Sequence, residues 1–137
     1  MTRTLKVSGF VGLATMMSVG MYQHSIAMDG VPGWMVGGHA HLGVLSILAI
    51  VIGFVVDQHG IAGRLRSAIT GLYVVGQWML PMSVWIGVGA GVTILIPLAF
   101  VWGAFLIVAM LLLAWQVATT DLATTPPSSG PAQPADD

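Results

Sequence analysis

Four long apolar runs, separated by short polar or glycine-rich breaks, constrain this chain more than any other feature. They extend from about Leu5 to Met28, Trp34 to Val56, Ser67 to Gly87 and Val92 to Val117. Each is long enough to cross the roughly 30 Å hydrocarbon layer of a bilayer as an α-helix. The breaks carry turn residues: Asp29-Gly30-Val31-Pro32-Gly33, the stretch from Asp57 to Arg66, and Gly87-Val88-Gly89-Ala90-Gly91. Connections this short make consecutive helices antiparallel. The sequence therefore predicts an all-α integral membrane protein, an up-down bundle of four transmembrane helices over residues 1–118.

Charge sharpens the reading. Only 7% of the 137 residues are charged and 56% are hydrophobic, whereas a soluble domain carries about a quarter charged residues. The formal net charge of −1 gives no basic footprint for nucleic acid. The chain has no cysteine, which excludes disulfides, thiolate zinc sites, iron–sulfur clusters and cysteine nucleophiles.

The four basic residues also set an orientation. Arg3 and Lys6 precede the first span, and Arg64 and Arg66 lie between the second and third. All four fall on one side of a four-span arrangement, so the positive-inside bias predicts that both termini are cytoplasmic. Trp34 and Trp85 then lie near the outer interface and Trp115 near the inner one. Ser25-Ile26-Ala27 has the small-residue look of a signal cleavage site, but the apolar run before it exceeds a usual signal core, and an intact first span is expected. Residues 119–137, rich in proline and threonine, are expected to form a disordered cytoplasmic tail. The cell (plasma) membrane is the expected location.

In a membrane the informative side chains are the polar ones, because each needs a partner or a use. His24, His39 and His41 flank the first tight connection. Helical rise puts all three within about 10 Å of that end of the first helix pair. This predicts that their rings converge, and histidine is the commonest metal ligand. His39 and His41 lie about 200° apart around a helix, so one is expected to face the interior and the other a neighbour, a subunit or water. Met17, Met21, His24 and Met28 form one helical stripe. Thioether sulfur suits Cu(I) or haem iron, although such a stripe more commonly just packs. In the third span, Gln77 precedes Trp78, and Pro81 removes the hydrogen bond to the Gln77 carbonyl. A mid-span glutamine reads as a pocket wall or as glue between helices. Pro97 likewise frees the carbonyl of Thr93. Ser8 and Gly12 read as close-packing positions, and Tyr22, Gln23, Ser46 and Tyr73 as lesser sources of pocket polarity. No span holds Asp, Glu, Lys or Arg in its interior, which argues against proton-driven transport.

Two resemblances follow from these residues. Gly38-His39-Ala40-His41-Leu42-Gly43, opening a helix, resembles the haem-ligating helix of haem-copper oxygen and nitric oxide reductases. The whole chain is more similar to the styrene-oxide isomerases, small four-span membrane proteins carrying haem b. Their second helix begins Gly-Trp, followed by Ala-His-x-Gly with an axial histidine, and the counterparts here are Gly33-Trp34 and Ala40-His41-Leu42-Gly43. Gly60-Ile61-Ala62, the basic stretch after it and Trp78 also match. The tryptophan-to-histidine spacing is three residues longer here. Ile47, Gly76 and Val84 stand where the family has asparagine, aspartate and tyrosine.

The resemblance implies His41 as the haem iron ligand, Trp78 beside the cofactor, a homotrimer with haem at the subunit boundary, and Lewis-acid opening of an epoxide to an aldehyde. On that reading His24 or His39 is a second ligand or pocket residue. Gln77 and Tyr22 are the candidate groups that touch a small apolar substrate. Two alternatives stay open. One is a b-type haem electron-transfer or gas-sensing subunit with two axial histidines. The other is copper handling by His24, His39, His41 and the methionine stripe.

Overall fold

The computed structural model describes residues 3–120. Four helices account for most of them: α1 (Arg3–Ser25), α2 (Gly33–Gln58), α3 (Gly63–Val84) and α4 (Leu95–Thr119). A 3₁₀ turn (Ala27–Asp29) joins α1 to α2, and a π-helical turn (Trp85–Gly89) extends α3. All four helices are long and apolar enough to cross a membrane, counting that turn with α3.

The ends differ from the apolar runs for local reasons. α1 stops at Ser25 rather than Met28, because the Ser25 hydroxyl donates to the Tyr22 carbonyl at 2.7 Å and the chain tightens into the 3₁₀ turn. Gly30 follows with a φ of +86°, a conformation that side-chain-bearing residues avoid. α2 starts just after Pro32, whose carbonyl accepts from the Met35 and Val36 amides. α4 starts at Leu95, so Pro97 lies in its first turn, where a missing N–H disrupts nothing. The Thr93 carbonyl expected to be freed accepts instead from the Ile96 amide at 3.1 Å. Thr119, assigned by composition to the tail, is the last residue of α4, its hydroxyl bonded to the Trp115 carbonyl at 2.9 Å. The rest of the expected tail, from residue 121, lies outside the described residues.

Cross-helix contacts give the chain direction. A methyl group added to Gly9 would meet the Ser46 carbonyl at 2.6 Å, while one on Gly53 would meet Lys6 Cγ at 2.8 Å and one on Gly20 would meet His39 Cε1 at 3.0 Å. Positions rising along α1 therefore meet positions falling along α2, and the two helices are antiparallel. Tyr73 meets Leu45 and Trp85 meets Gly38, so α2 and α3 are antiparallel too. Leu106 packs on Gly76 and Trp102 bonds Ser83, which sets α4 against α3 in the same way. α1 packs mainly on α2, and α2 also on α3, whereas α4 packs on α3 and the π turn. α1 reaches α3 over a short stretch, and α4 stands at the flank with Phe100 and Leu111 exposed.

The main apolar core sits toward the end that carries the basic residues. It comprises Leu5, Ala49, Ile52, Val56, Ile61, Ile69, Tyr73, Leu106, Ala109 and Leu113. There the Lys6 ammonium bonds Asp57 at 2.8 Å and lies 3.9 Å above the Phe54 ring, clamping the start of α1 to the end of α2. The opposite end holds the three histidines and is closed by Trp34 against Gly89 and the Trp85 indole against Gly38.

Candidate functional site

His39 and His41 lie on one turn of α2, and helical geometry sends them in different directions. His39 is half-buried against α1, its ring edge facing Gly20, and its Nδ1 is buried without a hydrogen-bond partner. The α1 backbone at Gly20 lies close against that edge of the ring. His41 is exposed. Its Nδ1 lies 2.7 Å from the Gly37 carbonyl. Because a carbonyl only accepts, Nδ1 is the donor in this bond, and Nε2 is directed away from its own helix turn. An Nδ1–H to carbonyl bond is the usual orienting contact behind a metal-ligating histidine. His59 makes the same local bond, 3.1 Å from the Val55 carbonyl, at the other end of α2. The bond alone therefore marks no ligand. What separates His41 is its place beside an apolar hollow of about 300 Å³, lined by Ala40, His41, Val44 and Leu45.

The expected convergence of three histidines does not occur. His24 is exposed on α1, and among the described residues no three His, Cys, Asp or Glu side chains gather into a group that could hold a metal ion. Matching depth along two helices does not supply matching azimuth. The methionine stripe is likewise turned outward, with Met21 and Met28 among the most exposed apolar side chains, so it does not pack into this chain's core.

Gln77 and Trp78 belong to a different place. Gln77 is fully buried at the junction of α1, α2 and α3. Its Nε2 donates to the Ser8 carbonyl at 3.2 Å and to Ser46 Oγ at 3.1 Å, and its Oε1 accepts from Ser8 Oγ at 2.9 Å. The Trp78 indole N–H donates to the same Ser8 Oγ at 2.9 Å. Both amide protons of Gln77 are consumed, so the side chain ties helices together rather than facing a ligand. Tyr22 is exposed, fourteen residues from Ser8 along α1, or about 21 Å of helical rise. The two candidate catalytic groups are thus not brought together. Trp78 lines a groove with Arg3, Thr4, Val7, Ser8 and Val11 and has no wall in common with the His41 hollow.

Sequence reading underrated Ser8. It was a close-packing position, yet it carries three hydrogen bonds at the centre of the molecule. Gly12 lies one turn along, where an added methyl would overlap Ser46 Oγ. The Ser8–Gly12 spacing was the available signal: one supplies the bond, the other the closeness.

These features define a class: an all-α chain with four helices suited to a membrane, a polar junction at its centre and one outward histidine beside an apolar hollow. The chain belongs to the family described as "Domain of unknown function (DUF8059)", whose model matches residues 1–137. No curated protein and no solved structure matches it.

Proposed function

We propose that this chain is a multi-pass protein of the cell (plasma) membrane that binds haem b through His41. In this reading the four helices thread up and down as a bundle, and both termini face the cytoplasm. The observation that carries the haem assignment is His41 itself: exposed, its ring oriented by the Gly37 carbonyl, beside the hollow of Ala40, Val44 and Leu45. That donor set suits haem iron, because neutral imidazole is a common axial ligand and the walls are aliphatic. His39 stays in the α1–α2 interface.

One helix turn covers little of a flat macrocycle. The reading therefore includes a second copy of the chain closing over the hollow, as in the homotrimer that the family resemblance implies. Haem held by His41 would supply a Lewis acid able to polarise a substrate oxygen. Ala40, Val44 and Leu45 would exclude water and admit a small apolar, epoxide-like substrate from the bilayer. The Gly37 carbonyl holds the His41 ring in position.

The test is an absorption spectrum of the protein purified in mild detergent from a haem-replete host, before and after dithionite. A Soret band that shifts on reduction supports the reading. A five-coordinate iron favours the isomerase form, and a six-coordinate low-spin iron favours the electron-transfer or gas-sensing alternative. Bound copper without a Soret band favours the copper-handling alternative.

A further inference from the structure

Because α1 and α3 touch only briefly, a groove opens between them toward the basic end. Val7, Val11 and Trp78 form its apolar walls, with Arg3, Thr4 and Ser8, around about 450 Å³. A second hollow of about 230 Å³ shares Thr4 with it and is lined by Arg66, Ser67, Thr70 and Gly71. The two together run from a guanidinium-bearing mouth to an aliphatic and indole-lined interior.

At the mouth the Ser67 hydroxyl is bonded to the Gly63 carbonyl at 3.3 Å, but other polar groups there are not engaged. Among the described residues neither the Arg3 nor the Arg66 guanidinium has a hydrogen-bond or ion-pair partner, and Lys6 bonds Asp57 instead. The Thr70 hydroxyl is buried and also lacks a partner. A buried hydroxyl without a partner costs stability, and a guanidinium fork matches the oxygens of a phosphate.

We infer that this groove holds an anionic phospholipid. The phosphate lies between Arg3 and Arg66 at the mouth, and an acyl chain runs along Val7, Val11 and Trp78. The order of charge and grease matches that of a lipid in the cytoplasmic leaflet, where basic pockets between helices bind acidic headgroups. The inference rests on the membrane reading and is independent of haem.

The test uses the full chain in mild detergent, offered equal amounts of phosphatidylglycerol and phosphatidylcholine, with bound lipid read by native mass spectrometry. Phosphatidylglycerol is expected to be retained preferentially. R3Q and R66Q should each reduce that preference about fivefold, and together about 25-fold. R64Q, on an exposed side chain outside both hollows, should leave it unchanged.

Equal retention of the two lipids would overturn the inference. So would an equal loss in R64Q, which would mean diffuse surface charge, or displacement of the lipid by millimolar inorganic phosphate, which would mean a free-anion site. A V7C variant of this cysteine-free chain that cross-links between copies while excluding lipid would assign the groove to a second copy. A chain that stays soluble without detergent would instead overturn the membrane reading.

Discussion

Ser8 on α1 and Gln77 on α3 hold each other twice: the serine hydroxyl donates to Gln77 Oε1 at 2.9 Å, and Gln77 Nε2 donates back to the Ser8 carbonyl at 3.2 Å. With Ser46 and Trp78 they join three helices at one buried point. Interhelical hydrogen bonds in membranes average about 0.6 kcal/mol each, and orphaned buried partners add to the loss. Gln77→Leu is therefore expected to cost about 2 kcal/mol, read as a lowered Tm in detergent. An unchanged Tm would show that the junction is not a structural tie.

The same junction depends on backbone closeness. Gly12→Ala would drive a methyl into Ser46 Oγ and within 2.8 Å of Gln77 Nε2, so it should destabilise by about 1–3 kcal/mol. Gly103→Ala meets open space on α4 and should be neutral or slightly stabilising, since alanine is the better helix former. Thermal melts of the pair side by side check the contrast, and similar shifts in both would contradict it.

His39 makes the opposite prediction. Its Nδ1 is buried without a partner, and replacing such a group by an apolar one of similar size is nearly neutral or stabilising. His39→Leu should keep or raise the Tm and leave cofactor content intact. A loss of bound cofactor in this variant would make His39 a ligand and remove it from the packing role.

At the α3–α4 contact the Trp102 indole donates to Ser83 Oγ at 3.0 Å, and Ser83 Oγ donates in turn to the Met79 carbonyl at 2.8 Å. Ser83→Ala leaves the Trp102 N–H unpaired and should cost about 1 kcal/mol. Its melt should be additive with that of Gln77→Leu, since the two ties share no residue. Strong non-additivity would mean that α4 is coupled to the three-helix junction.

Much of this was legible in the sequence. Apolar run length and turn residues located four long helices, with shifts of a few residues at their ends. The site was harder, for a geometric reason. Helical rise fixes depth, so His24, His39 and His41 could be placed at one level, but azimuth depends on which face each helix buries. Gly20 meeting His39 and Gly37 orienting His41 settle that, and neither contact is visible as a motif. From sequence alone Gln77 fits either a pocket wall or glue between helices. Choosing between them required Ser8, 69 residues away, which depends on an α1–α3 contact that connection lengths do not specify. In the sequence Arg3 and Arg66 inform orientation only, because the two hollows they line, joined at Thr4, depend on how α1 and α3 are set apart.

The most direct test of the haem assignment compares the Soret absorbance per protein of the wild type, His41→Ala and His39→Leu, each purified in mild detergent from a haem-replete host. The account predicts a reducible haem band in the wild type, its retention in His39→Leu and its loss in His41→Ala, with all three proteins folded. No band in the wild type, or full haem content in His41→Ala, would contradict it.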